Sequence, residues 1–323
     1  MTARETDTPE LPNAPAAAPA PAPQRAAALS WPLFMLLISG IVWGLTYSLT
    51  RFAITGGIPF LAYVFLVGAG AALLLFILGL LTRSLPKLEW PHIRAYLVLG
   101  TVSYGLSYSV LAVVAPEVPT GVLSLGATLT PIFTYPAAAL FKLDRFALLR
   151  TLGLVCGLAA VALIVVPETS LPSPEMVPWV LLGMVTPLLY VANAIIIALL
   201  KPPPSGALPL ACGTLIAGSL FMLVVVLASG HWWWFDGPME TNDWALIMAA
   251  CVMALAFYLM IEIIRIAGPV FFTTVNFIVP LTGIGWGILF FDESHSLWIW
   301  LALALMIVGV FLVNRPSKTK PAV

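Results

Sequence analysis

Apolar residues fall along this chain in long runs separated by short polar, Pro-rich or Gly-rich breaks. A helix needs about 20 mainly apolar residues to cross roughly 30 Å of hydrocarbon. Ten runs meet that need, over residues 31–53, 58–82, 92–115, 119–141, 147–167, 176–200, 206–229, 244–266, 269–291 and 295–314. Between them stand Gly56-Gly57, Pro116 with Pro119, Pro172 with Pro174, Pro202-Pro203-Pro204 and Gly268-Pro269, residue types that punctuate helices and favour turns. The pattern predicts an all-α integral membrane protein of ten transmembrane helices.

Composition agrees: 61% of the residues are hydrophobic and 9% charged, where soluble domains carry about 25% charge. Fourteen basic residues balance 14 acidic ones, and without a basic tract there is no electrostatic footprint for nucleic acid. Cys156, Cys212 and Cys251 lie inside apolar runs with no CxxC spacing, so neither a disulfide framework nor a thiolate metal site is indicated. No cofactor is implied. Residues 1–30 hold ten Ala and six Pro with no apolar periodicity, which predicts a disordered tail unable to offset chain entropy by burial. Glu5, Asp7 and Glu10, and a first apolar run that begins only at Trp31, fit neither a secretory signal nor a transit peptide.

Lys and Arg set the orientation, because basic loops stay on the cytoplasmic side. With the N-terminus inside, 13 of the 14 basic residues fall on inner segments and only Arg51 outside, while eight acids from Glu117 to Glu293 fall outside. One miscounted span would spoil that bias. The expected protein is therefore multi-pass in the inner (plasma) membrane, with both termini cytoplasmic, including a tail over residues 315–323.

Aligning Pro131 with Pro280, 149 residues on, brings Leu140-Phe141-Lys142-Leu143-Asp144 over Leu289-Phe290-Phe291-Asp292-Glu293. The halves, residues 31–167 and 176–314, then hold five spans each. An odd repeat enters the membrane in opposite directions in its two copies, and inverted repeats build alternating-access carriers with sites near the midplane.

Each half resembles an EamA domain of the drug/metabolite transporter superfamily. The first does so in Trp43-Gly44, Thr130-Pro131, the loop acid Asp144, and Gly153 with Gly157; the second in Pro280, Asp292-Glu293 and the closing run Leu305-Met306-Ile307-Val308-Gly309. The likeness spans about residues 33–314. It departs where Tyr190 and Asn193 in the sixth span replace the Trp43-Gly44 neighbourhood of the first, so the halves are expected to supply unlike pocket walls. The resemblance implies export of small metabolites, amino acids or drugs.

Polar and aromatic side chains at mid-span depth are where a solute would be held, because polar atoms in hydrocarbon must pair or face a watery cavity. Candidates for substrate contact are Trp43 and Tyr47, Tyr104 and Tyr108, Tyr190 and Asn193, and Asn276. Against this stands a packing role, since hydroxyl side chains also bond their own helix and mediate helix contacts. Pro131 and Pro280 remove a backbone donor at matching depths and are expected to act as paired helix interruptions lining the site. Arg51 and Glu262 are the charges near spans that could couple ion movement. Arg51 is expected to snorkel at an outer end, and Glu262 to pair with Arg265 one helical step away. That leaves a midplane almost without charge, suited to neutral, zwitterionic or amphipathic solutes.

Gly153 and Gly157 form a GxxxG pair that permits close helix packing within one chain or in a homodimer, the former being expected. The run His231-Trp232-Trp233-Trp234-Phe235 reads as an aromatic belt, and His92 and His295 as helix caps. No GxxxxGK[ST] occurs, so the chain itself is no nucleotide-driven pump. The partners implied are the lipid bilayer and a small-molecule substrate. A membrane-embedded lipid-modifying enzyme and a non-transporting receptor or scaffold are the competing classes; the first would need an acid/base or metal constellation that three scattered His residues do not make, and the second usually carries a large soluble domain.

Overall fold

The computed structural model describes residues 22–141, 147–200, 204–235 and 237–314. Among them it contains helices and connecting turns alone. In chain order the α-helices are α1 (Ala22–Thr55), α2 (Phe60–Leu81), α3 (Trp90–Leu99), α4 (Ser107–Val114), α5 (Thr120–Leu140), α6 (Leu148–Val165), α7 (Val177–Gly183), α8 (Val185–Leu200), α9 (Ala207–Ser229), α10 (Thr241–Ala267), α11 (Pro269–Phe272), α12 (Val275–Phe291) and α13 (Leu297–Val313). A π-helical stretch, Gly100–Leu106, joins α3 to α4 into one span. The third span is thus α3 with α4, the sixth α7 with α8, and the ninth α12 preceded by the short α11. Eight helical runs are long and apolar enough to cross a membrane, and the apolar α12 and α13 are shorter.

Boundaries follow local chemistry. Pro59 and Pro119 stand immediately before α2 and α5, where a missing N–H costs nothing. A reciprocal cap starts α10, with the Glu240 amide donating to Asp243 Oδ2 at 2.8 Å. Gly230 ends α9 at φ +70°, a conformation that glycine adopts without strain. One expectation changes: α1 begins at Ala22, inside the segment read as a disordered tail. Gln24, Arg25 and Ala26 to Ala28 are strong helix formers, and Pro23 sits in the first turn, where helices accept it. Residues 1–21 lie outside the described residues, as does Asp144.

Like-placed spans of the two halves pack on each other: α2 on α9, α5 on α12 and α6 on α13. Further, α1 lies against α10 and α12, while α8 lies against α4 and α5. Exchanging each span with the one five further along carries these pairings onto each other, as two copies of one five-helix unit require. The closest approaches are made by glycines. A Cβ on Gly153 would stand 2.7 Å from the Gly309 carbonyl, and one on Gly309 2.9 Å from the Gly153 carbonyl, so the GxxxG face of α6 is spent within the chain against α13. Gly44 serves α1 against α12 in the same way, facing Thr282 and Gly283, and Thr282 Oγ1 donates to the Gly40 carbonyl at 2.9 Å. Large apolar side chains such as Leu73, Leu220, Val224 and Leu289 point outward, as they do where lipid is the solvent.

Candidate functional site

Three of the proposed contact residues meet at mid-depth, where α1, the third span and α10 converge. The Trp43 ring lies 6.5 Å from Tyr108 and 6.0 Å from Phe257, and Tyr104 lies 5.1 Å from Tyr108 and 6.2 Å from Phe257, centroid to centroid. These separations are typical of favourable aromatic pairs. Tyr104 sits within the π-helical stretch, a distortion that re-aims side chains and recurs at functional sites. Its hydroxyl donates to the Val64 carbonyl of α2 at 2.6 Å, and its ring is fully buried. Tyr104 therefore forms the wall behind the cluster.

Tyr47 and Tyr190 face a narrow gap of about 20 Å³ together with Thr186 and Gly126, room for about one water. Tyr190 lies within electrostatic reach of Tyr108 and Tyr47, which joins the sixth span to the cluster. Three polar atoms around this region are buried without a partner: Trp43 Nε1, Thr186 Oγ1 and Asn193 Oδ1. Thr186, Tyr190 and Asn193 share a helix face by their four- and three-residue spacing. Buried polar atoms are rarely left unsatisfied, and each exception calls for a ligand, a water or a functional reason. By contrast, Thr46 and Thr50 donate to carbonyls of their own helix, with Thr50 also bonded to Tyr63 Oη at 3.0 Å. The packing role holds for those two.

Other expected residues sit elsewhere. Asn276 donates through Nδ2 to the Thr273 carbonyl at 2.9 Å, capping the turn that precedes α12 rather than joining the rings. Pro131 and Pro280 are buried, but neither interrupts its helix; α5 and α12 run through them. Membrane helices tolerate an internal proline, and beside Pro280 the Ser124 Oγ donates to the Gly121 and Pro280 carbonyls at 2.7 and 3.3 Å, tying α5 to α12. The irregular backbone lies instead in the π-helical stretch of the third span, at Met184 between α7 and α8, and at Thr273-Thr274 ahead of α12.

The charges separate by end. Glu262 accepts from Arg265 Nε and Nη2 at 2.8 and 2.5 Å, the local pair expected near one end of α10. At the opposite end Arg51 does not reach solvent alone. Its Nη1 donates to Glu293 Oε1 at 2.6 Å, with side-chain exposures of 24% and 7%, and its guanidinium stacks on Phe291 at 4.5 Å. Glu293 Oε1 also accepts from the Thr120 amide at 2.7 Å and hydroxyl at 2.6 Å, and Oε2 from the Gly121 amide at 3.1 Å. The first turn of α5 is thus capped by a carboxylate from the turn between α12 and α13, favoured there by the helix dipole. His295 packs beside it, its side chain 2% exposed and Nε2 3.5 Å from Glu293 Oε2. Burial lowers its pKa from the ordinary 6.5, and the Glu293 charge opposes that shift.

Glu293 and Phe257 are thus the residues that sequence reading undervalued. Phe257 carries no polar signal, whereas Glu293 had one, the acid recurring at the 149-residue offset. Among the described residues no group of three or more His, Cys, Asp or Glu is placed to hold a metal ion.

Comparison with known proteins follows the same lines. Residues 30–166 match the EamA-like transporter family. The chain is 25% identical over 295 residues to Protein PecM of Dickeya dadantii (strain 3937), covering 87% of this chain and 93% of that protein. It is 23% identical over 297 residues to the Uncharacterized transporter YvbV of Bacillus subtilis (strain 168), covering 87% and 91%. The crystal structure of another protein aligns with a TM-score of 0.60 at 16% identity over 90% of this chain and 97% of the other; that likeness bears on the fold alone. Ten helices, a match of residues 30–166 to the EamA-like transporter family and relatives alike along most of their length lead to one conclusion: the chain is a membrane transporter, similar over its first half to the EamA-like family.

Proposed function

We propose that this transporter exports small neutral, zwitterionic or amphipathic solutes, amino acid-like or drug-like, by alternating access between its two five-helix halves. The observation that carries the reading is the aromatic cluster of Trp43, Tyr104, Tyr108 and Phe257, fringed by the unpartnered Trp43 Nε1, Thr186 Oγ1 and Asn193 Oδ1. Aromatic faces and single hydrogen-bond groups hold a solute without net charge; a strongly cationic one would need a carboxylate at this depth. A gap of about 20 Å³ is too small for such a solute, so the conformation corresponds to a closed stage, and opening requires the halves to rock apart. The basic bias supports an inner (plasma) membrane protein with both termini in the cytoplasm and the Arg51–Glu293 end outside.

Flux of a solute panel in proteoliposomes tests this, the panel being drawn from metabolites released by cells with and without the protein. Trp43→Ala should weaken solute affinity of the folded protein about tenfold, the equivalent of about 1.4 kcal/mol. Saturable flux with wild-type affinity in Trp43→Ala, in an Asn193→Ala variant and in a Thr186→Val variant would move the site elsewhere. For orientation, single cysteines at Ser229 and Ser317 in a cysteine-free chain should label unequally with an impermeant thiol reagent on intact cells, with Ser229 the accessible one. Equal labelling would overturn the topology.

A further inference from the structure

The Glu293 carboxylate is held as a bound ligand would be. It comes from the turn between α12 and α13, yet its partners are two helices of the other half: Arg51 of α1 and the amides and hydroxyl that open α5. A charged donor, two backbone amides and a hydroxyl converging on one carboxylate make a recognition site for that group. The buried His295 ring adds a polar atom, Nε2, that has no hydrogen-bond partner and faces Glu293 Oε2. Beside the cradle opens a pocket of about 230 Å³, lined by Arg51, Glu117 and Glu293 and walled by Pro116, Pro119 and Pro172. It has space for several waters, enough for a small amino acid. Arg51 uses Nη1 on Glu293, and a guanidinium carries five N–H donors, so it can hold a second carboxylate as the first one leaves.

We propose that this cradle is a carboxylate subsite at the outer mouth of the transport path: Glu293 fills it as a tethered stand-in while the mouth is closed, and the carboxylate of a zwitterionic solute displaces Glu293 on its way through. The pocket's charges select the rest of the solute. Once a solute carboxylate pairs with Arg51, the acids Glu117 and Glu293 remain on the same wall and favour an ammonium group while repelling a second carboxylate. Displacing Glu293 also removes the ionic tie between the α12–α13 turn and the ends of α1 and α5, so occupancy loosens the mouth. This assignment rests on the transporter reading and sharpens its substrate class to amine-bearing carboxylates.

The test reads binding rather than flux. Glu293→Ala in the full chain vacates the cradle, and thermal unfolding of the detergent-purified protein is followed against sodium acetate, sodium chloride and glycine at matched ionic strength. Acetate and glycine should raise the unfolding temperature of Glu293→Ala in a saturable way, with chloride inert and the wild type moving less because its own carboxylate competes. At a probe concentration a hundred times the dissociation constant, the folded-to-unfolded ratio should rise about a hundredfold. Adding Arg51→Gln should abolish the effect. Absence of acetate-specific stabilisation, or its persistence in the double variant, overturns the subsite; stabilisation by acetate without glycine overturns the zwitterion assignment. Should Glu293→Ala not survive purification, Glu293→Gln serves: its neutral amide is the weaker occupant, so acetate must stabilise it more than it does the wild type, and an equal response refutes the proposal. Because this test reads binding and the proteoliposome assay reads flux, binding without transport would fault the transporter reading alone, and transport without binding the subsite alone.

Discussion

The mid-depth aromatic cluster and the Arg51–Glu293 mouth solve the burial of polar groups in opposite ways. At the mouth one carboxylate has four hydrogen bonds from Arg51, Thr120 and Gly121, and its charge is compensated. In the cluster no charge is present; the Tyr104 hydroxyl is taken up by the Val64 backbone, and Trp43, Thr186 and Asn193 each leave a buried polar atom without a partner. The difference separates stability from affinity. A saturated ionic contact holds a conformation and is costly to break, whereas the aromatic wall is stabilised by ring packing and keeps the hydrogen-bonding capacity of its unpartnered atoms for a guest.

The largest test removes the contrast at the mouth. Glu293→Ala leaves Arg51 and the α5 amides uncompensated, and thermal unfolding should show a loss of about 3 kcal/mol, the lower end of the cost of breaking a buried pair, because Arg51 keeps 24% exposure to solvent. A loss no greater than that of an exposed surface substitution would erase the distinction between the two regions.

Within the cluster, Tyr104→Phe should lower stability by about 1 kcal/mol, one intramolecular hydrogen bond, and leave solute affinity unchanged in binding assays, since its hydroxyl is already committed to Val64. Trp43→Phe should do the reverse. It deletes a buried N–H that has no partner, so the unfolding temperature should hold or rise while solute affinity weakens by about 1 kcal/mol. If both variants change stability alike and affinity not at all, the cluster is ordinary core.

The smallest effect concerns pH. His295 has a folded-state pKa below its ordinary 6.5, so it binds a proton less readily folded than unfolded. Its contribution is fully present above 6.5 and is lost as pH falls through that value toward the folded pKa. Wild-type unfolding temperature should drop more between pH 7.5 and pH 5.5 than that of His295→Gln, and parallel curves would remove His295 from the mouth's electrostatics.

Much of the fold was legible because its signals are local. Each apolar run of 17 to 27 residues in the helices from α2 onward was readable by length, and breaks such as Gly56-Gly57 and Pro119 by type. The face of α6 carrying Gly153 and Gly157 was rightly assigned to packing within the chain. The site was legible only in part. Trp43, Tyr104 and Tyr108 come together because bulky residues with polar tips at mid-span depth have few places to go. Asn276, chosen by the same reasoning, found a partner in its own turn at Thr273. Pro131 and Pro280 showed the same gap between type and outcome, since a proline that would break an isolated helix is accommodated within a packed membrane bundle.

Sequence alone determined that this chain crosses a membrane as ten helices and that its mid-depth is almost free of charge, because transfer into hydrocarbon acts residue by residue and depends on length and composition. Only the tertiary structure decided which polar groups are satisfied. Arg51 and Glu293 meet across 242 positions of sequence, and Tyr104 and Val64 across 40. Hydrogen bonds and ion pairs depend on separations of a few ångströms, and those are set by how helices from the two halves pack, not by the order in which their residues are written.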